Sequence, residues 1–141
     1  MRKYRLGLFV GVLVSALLLG CSNKPAVVEI IDPETPGINQ EIKAILTSGK
    51  PAVVVLGTGL CANCKIVADI VNTLKEKRKD LEVSWIVYED YRDQATFKAF
   101  HLTISPTTYL ITTNHEVKRK LTGTYTEQEL LDAMKEEGLI H

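Results

Sequence analysis

Two cysteines separated by two residues, Cys61 and Cys64, lie in the stretch "GTGLCANCKIV", directly after the apolar run "PAVVVL". A pair at this spacing has three chemical uses. It can exchange electrons with other thiols, contribute two thiolates to a metal site, or close a short covalent loop. The elements around the pair have to distinguish among these uses.

The cysteine pair is predicted to lie where a strand turns into a helix. The valine-rich run from Ala52 to Leu56 is typical of a strand that is buried on both faces of a sheet. Beyond the pair, apolar residues at positions 67, 70, 71 and 74 follow the spacing of an amphipathic helix. The pair therefore stands at a helix N-terminus, where unpaired N–H groups and the helix dipole favour a thiolate over a thiol.

The other predicted elements alternate between helix and strand, which favours an α/β fold. Pro106 cannot donate to a sheet ladder, so it is expected at the mouth of a strand rather than inside one. The predicted elements are a helix at 38–46, a strand at 81–88 parallel to the first, a short helix at 92–100, a strand at 107–112, an antiparallel strand at 117–121, and a last helix with a capping box at Thr126 and Glu129 and a stop at Gly138.

The first 20 residues predict a secretory signal. A basic leader at positions 2, 3 and 5 precedes an uncharged apolar segment of 15 residues, from Leu6 to Gly20. A spanning helix needs about 20 such residues, so cleavage is favoured over an uncleaved anchor. The following "LLGCS" resembles the bacterial lipobox, whose cysteine becomes the lipidated first residue of the mature protein. We predict a lipoprotein signal peptide at 1–20 and lipidation of Cys21.

The predicted mature chain is a single domain on a tether. The full chain has 17 basic and 17 acidic residues; without residues 1–20 it keeps 14 basic and 17 acidic, a net charge of −3. No basic patch suggests nucleic acid as a partner. Residues 21–37, with three prolines, are predicted as the lipidated N-terminus and tether, with a short strand considered at 27–31. Residues 38–141 are predicted as the folded domain.

The order of elements, the cysteine pair at a strand-to-helix turn and the proline before a later strand together resemble the thioredoxin-fold family, from about residue 38 to residue 139. "CANCK" stands at the family's active-site motif, "ISPT" at its cis-proline loop, and Gly123 at the glycine that keeps the substrate groove open. The resemblance implies a thioredoxin-like α/β fold, with a central mixed sheet flanked by helices on both faces. It also implies a redox-active disulfide between Cys61 and Cys64, and no cofactor.

The same resemblance implies roles and partners. Cys61 would attack a substrate disulfide and Cys64 would resolve the mixed disulfide. Ile104, Ser105 and Pro106 would bind the substrate, with a cis bond before the proline that aims the backbone groups of Ser105 toward an incoming peptide. The implied partners are protein dithiols or disulfides and a membrane redox partner. The lipid anchor would hold the protein in the bacterial cell envelope, on the extracytoplasmic side of a membrane, where thiols are not kept reduced by the cytosolic pools.

Several positions depart from the family's usual pattern. Leu60 replaces the tryptophan that often precedes the first cysteine, and Ala62 and Asn63 replace a Gly-Pro pair. Val55 stands where a buried acidic residue often relays protons, and Asp69 where a proline often bends the helix. These changes leave the two sulfurs in place and bear on the redox potential and on the direction of electron flow.

Other uses of the fold stay open at this point. A zinc site needs three or four protein ligands. His101, His115 and His141 have no supporting C-x-x-C or H-x-x-x-H partner, so no metal site is predicted. The alternative to dithiol turnover is a binding module, or a copper-handling lipoprotein that uses the two cysteines and a distant histidine. A purely structural disulfide is less favoured, because so short a loop constrains the unfolded chain little.

Overall fold

The computed structural model describes residues 28–59, 61–88 and 94–141, so the predicted signal peptide and Cys21 lie outside the described residues. Within them the predicted order of elements is observed. The elements are β1 (Glu29–Ile30), α1 (Gln40–Leu46), β2 (Ala52–Thr58), α2 (Ala62–Lys77), β3 (Glu82–Tyr88), α3 (Gln94–Ala99), β4 (Thr107–Ile111), β5 (Glu116–Thr122) and α4 (Glu127–Glu136).

The strands form one mixed sheet in the order β1-β5-β4-β2-β3. The pair β2–β3 is parallel, as predicted, and the other three pairs are antiparallel. Alternate residues of β2 point to opposite faces, so Val53 and Val55 pack with α2 and α4, whereas Val54 and Leu56 pack with α1 and the residues around α3. Because helices cover both faces, β2 is buried and without polar side chains from Ala52 to Gly57.

Local interactions define the ends of the helices. The side chain of Asn39 accepts a hydrogen bond from the N–H of Glu41 at 2.9 Å and begins α1. The predicted capping box of Thr126 and Glu129 is present at the start of α4. Gly138 follows α4 with a φ of 69°, which confirms it as the residue that ends the helix.

The strand β1 belongs to the sheet although it lies before residue 38, where the tether was predicted to end. Glu29 is paired with Val117 of β5, and the N–H of Ile31 donates to the carbonyl of His115 at 2.9 Å. The Ile31 side chain is buried in the same cluster as α1. A two-residue strand between prolines carries no periodic pattern, so the sequence could suggest this strand but could not show that it is packed.

Replacing Ile31 tests whether β1 is part of the folded domain. Ile31 is 1% exposed and its neighbour Ile30 is 64% exposed. We expect Ile31→Ala to lower the free energy of unfolding by about 2–5 kcal/mol, because it leaves a cavity in the core. The matched Ile30→Ala should change it by less than about 0.5 kcal/mol. Urea denaturation followed by fluorescence of Trp85, the only tryptophan in the sequence, measures both; equal small effects would show that β1 does not pack.

Candidate active site

Cys61 and Cys64 form a disulfide at the start of α2, with their Cα atoms 5.2 Å apart. Cys61 is the N-cap residue, and its carbonyl accepts the N–H of Cys64 at 3.1 Å. The Cys61 side chain is half-buried, whereas Cys64 is only 4% exposed. Cys61 is therefore the more accessible residue of the pair, and Cys64 is covered by the protein. This asymmetry favours the predicted roles, in which Cys61 attacks and Cys64 resolves.

The electrostatics at this helix end favour an anion. The first turn of α2 contains no acidic residue, so no carboxylate offsets the positive end of the helix dipole. Lys65 follows Cys64 directly and is exposed. A thiolate at Cys61 would be stabilised by the free N–H groups of the first turn and by the dipole.

Gly57 in β2 makes room for the buried sulfur. A Cβ atom added at this position would lie 3.0 Å from Cys64 Sγ and 3.0 Å from Cη2 of Trp85 on β3. Both distances are too short for ordinary side-chain contact. The absence of a side chain at Gly57 therefore allows Cys64 to pack directly against the backbone of the central strand.

The loop before β4 faces the disulfide from the other side. The bond between Ser105 and Pro106 is cis, and Ser105 Oγ lies 3.6 Å from Cys64 Sγ. The Thr58 N–H at the end of β2 donates to the same Ser105 Oγ at 3.0 Å. The fold thus brings Cys64 of the cysteine motif into contact with Ser105 of the proline motif, although the two residues are 41 positions apart in the sequence.

Internal hydrogen bonds hold this cis-proline loop in place. Thr107 Oγ1 donates to the Ile104 carbonyl at 2.6 Å, and the Gly123 N–H donates to the Pro106 carbonyl at 2.9 Å. Gly123 has a φ of 78°, a backbone conformation that favours glycine. Gly123, predicted to stand at the substrate groove, thus lies beside the cis-proline, and a side chain there would enter open space.

The three predicted substrate-binding residues differ in exposure. Ile104 is 55% exposed, Ser105 is half-buried and Pro106 is buried. Ile66, two residues after Cys64 on α2, is 52% exposed. Ile66 and Ile104 are two of the few large apolar side chains exposed in the described part of the chain, and they lie on the two segments that carry the disulfide and the cis-proline. They give the site an apolar rim.

Val55 lies where the family often has a buried acid, and it is fully buried. It is opposite Trp85 on β3 and Thr108 on β4. The buried residues of its hydrophobic cluster are all apolar.

The polar pair next to Val55 consists of Thr108 Oγ1 and Tyr125 OH, which lie 2.6 Å apart. Burial raises the pKa of Tyr125 to about 12, and the hydrogen bond with Thr108 opposes this rise. The phenol stays neutral at physiological pH and supplies no base.

The other candidate positions are Asp69, His101, His115 and Leu60. The helix α2 continues from Ala62 to Lys77 through Asp69, which stands at the family's proline position. His115 Nε2 lies 2.9 Å from the Leu46 carbonyl, and the exposed His101 lies 3.4 Å from Glu29. Leu60 lies outside the described residues.

Residues 28–59, 61–88 and 94–141 contain no group of three or more His, Cys, Asp or Glu side chains placed to hold a metal ion. The same ranges contain no helix whose length and hydropathy would allow it to cross a bilayer.

Sequence reasoning missed three residues of the site, Gly57, Thr58 and Ile66. A signal existed for Gly57, because a glycine inside an otherwise apolar strand often marks the close approach of another group. No comparable signal identifies Thr58 or Ile66, since the contacts of Thr58 and the exposure of Ile66 depend on how the elements pack. For Ser105 only a backbone role was predicted, whereas the structure also places its hydroxyl against a sulfur.

Comparison with known proteins identifies the fold. No protein-family model matches the chain, and no curated protein sequence matches it. Thioredoxin f2 of Chlamydomonas reinhardtii superposes with a TM-score of 0.57 at 17% identity, over 68% of this chain and 88% of that one. Oxidized thioredoxin O2 of Arabidopsis thaliana gives a TM-score of 0.57 at 14% identity, over 68% and 85%. The chain has a thioredoxin-like fold, and this prediction is confirmed.

Adding one methyl group at Gly57 tests the packing of the buried sulfur. We expect Gly57→Ala to lower the free energy of unfolding of the oxidised protein by about 1–3 kcal/mol, because the new Cβ would press on Cys64 Sγ and on the Trp85 ring. Urea denaturation measures the change. A loss below about 0.5 kcal/mol would mean that the sulfur has room to move and is not held against β2.

Proposed function

We propose that this protein is a thiol-disulfide oxidoreductase that exchanges disulfides with protein substrates through Cys61 and Cys64. The observation that carries the proposal is the arrangement of the pair. Its disulfide stands at the N-terminus of α2 against a cis-proline loop, with Cys61 half-buried and Cys64 only 4% exposed. The thioredoxin-like fold also supports a function in thiol-disulfide exchange.

The reaction is balanced by the two cysteines and water. In the reduced protein the Cys61 thiolate attacks one sulfur of a substrate disulfide, that disulfide breaks, and the departing thiolate takes a proton from water. Cys64 then loses its proton and attacks Cys61 Sγ. The second substrate thiolate leaves and is protonated, so two electrons and two protons have passed to the substrate. The reverse sequence oxidises a substrate dithiol.

The surface around the disulfide suits an extended peptide. The described residues provide no hydrogen-bond partner for the backbone of Ser105, which lies beside the disulfide. Such a free backbone can pair with an incoming segment in the manner of an added strand. Ile104 and Ile66 supply apolar contact that does not depend on one particular sequence.

We also propose that the protein acts at a membrane surface, anchored by lipid at Cys21 on the extracytoplasmic side, where a membrane redox partner would renew the pair. The leader, the apolar segment and "LLGCS" support this proposal. A disulfide also persists more readily in that compartment than in the cytosol. The tether would enter the fold at β1, which is separated from β2 in the sheet by β5 and β4.

Single-cysteine variants test the proposed roles. In cells, Cys64→Ser should accumulate mixed disulfides with client proteins, because Cys61 still attacks and nothing resolves the product. Cys61→Ser is the matched control and should accumulate few. Non-reducing electrophoresis with mass spectrometry of the trapped species measures both. If Cys64→Ser traps nothing and both cysteines of the reduced wild type alkylate equally fast, a binding module becomes the better interpretation.

Mass analysis of membrane-extracted protein tests the anchor. We expect a mature chain that begins at a diacylglyceryl Cys21 and lacks residues 1–20. Cys21→Ala should prevent lipidation, and the variant should no longer carry the added mass. Recovery of an unlipidated wild-type chain that begins at another residue would contradict the proposal.

A further inference from the structure

Cys64 has to lose a proton before it can resolve a mixed disulfide, and its surroundings offer little help. Its side chain is 4% exposed, so direct contact with water is limited. Val55 provides no carboxylate beneath it, and Tyr125 is neutral. The polar side chain in contact with the sulfur is Ser105, whose Oγ lies 3.6 Å from Cys64 Sγ.

The hydrogen bonds of Ser105 leave its hydroxyl available to that sulfur. A serine hydroxyl has one proton and two acceptor positions. The Thr58 N–H occupies one acceptor position at 3.0 Å. The Ser105 proton is directed to Thr58 Oγ1 at 3.4 Å or to Cys64 Sγ at 3.6 Å. One acceptor position therefore remains for a thiol at Cys64.

We propose that the Ser105 hydroxyl, together with Thr58, carries the proton of Cys64 to solvent and then stabilises the thiolate by hydrogen bonding. The proposal rests on the proposed function, because it concerns the second step of disulfide exchange. It gives Ser105 a side-chain role in catalysis in addition to the backbone role expected in substrate binding.

The step balances in protons and electrons. The Cys64 thiol donates its proton to Ser105 Oγ, Ser105 passes its own proton to Thr58 Oγ1, and the half-buried Thr58 releases a proton to water. The sulfur electron pair of Cys64 forms the bond to Cys61 Sγ. The bond between Cys61 and the substrate sulfur breaks, and the departing thiolate takes a proton from water. The Ser105 hydroxyl can turn toward Cys64 Sγ while the sulfur carries the negative charge.

The fold holds the serine at this place. Hydrogen bonds fix the residues on both sides of it, from Thr107 Oγ1 to the Ile104 carbonyl and from the Gly123 N–H to the Pro106 carbonyl. The bond from the Thr58 N–H orients the hydroxyl itself. Gly57 allows the sulfur to approach from the opposite side. The contact is therefore formed by fixed elements of the fold.

Alkylation of Cys64 tests the contact without any turnover. In the full-length protein carrying Cys61→Ser, the rate of Cys64 alkylation by iodoacetamide is measured against pH, with the modified peptide identified by mass spectrometry. We expect Ser105→Ala to move the midpoint of this profile upward by about one to two pH units, since the thiolate loses a hydrogen-bond donor. Ser105→Thr should return the midpoint most of the way to that of the parent, because threonine keeps the hydroxyl.

A matched control separates this effect from a loosened loop. Thr107→Val removes the hydroxyl bond to the Ile104 carbonyl in the same loop and leaves Ser105 unchanged. The bonds from the Thr58 N–H to Ser105 Oγ and from the Gly123 N–H to the Pro106 carbonyl remain in this variant, so its alkylation midpoint should move by less than about half the shift of Ser105→Ala. An unshifted midpoint in Ser105→Ala, or an equal shift in Thr107→Val, would overturn the proposal.

A single-turnover measurement tests the relay itself. Reduced full-length protein with both active-site cysteines reacts with 5,5′-dithiobis(2-nitrobenzoate), and release of the second thionitrobenzoate reports attack by Cys64. We expect Ser105→Ala to slow this release about tenfold or more at pH 7, with the difference narrowing at high pH. Thr58→Val should slow it less. A wild-type rate in Ser105→Ala would refute the relay, whereas failure of the wild type to reduce protein disulfides would refute only the proposed function.

Discussion

The close approach of Cys64 Sγ to the backbone of β2 is the contact on which the site depends. The sulfur can lie there because Gly57 has no side chain, and a Cβ atom at this position would stand 3.0 Å from it. This approach buries Cys64 while Cys61, at the helix N-terminus, keeps access to solvent. The chemical difference between two cysteines that are only three residues apart therefore comes from how α2 packs on the sheet.

The register of the sheet brings the second half of the site to this contact. β4 is antiparallel to β2, with Leu56 opposite Thr107, so the residue before Pro106 meets the end of β2. The Thr58 N–H then donates to Ser105 Oγ rather than to a backbone carbonyl of β4. A side-chain hydroxyl thus continues the hydrogen bonding of the strand and also reaches Cys64 Sγ. The same few atoms connect the sheet, the cis-proline loop and the disulfide.

The apolar environment of Val55 fits this arrangement. A buried carboxylate without a partner is costly, and the buried hydroxyl opposite Val55, that of Thr108, is already bonded to Tyr125 OH. A neutral hydroxyl at Ser105 carries no such penalty, because its hydrogen bonds are satisfied both in the thiol and in the thiolate form. The chain in this way combines an apolar side chain at Val55 with a polar contact between Ser105 and the disulfide.

The sequence alone determined the order of elements, the parallel pairing of β2 with β3, the capping box of α4 and the two motifs of the site, because periodicity, capping residues and cysteine spacing are local properties. It suggested β1 without showing that Ile31 is packed, since two residues give no periodic pattern. Only the tertiary structure decided that Ser105 Oγ meets Cys64 Sγ, that Gly57 admits the sulfur and that Ile66 lies exposed. These contacts join residues that are distant in sequence or depend on side-chain direction, which the register of the sheet and the packing of α2 determine.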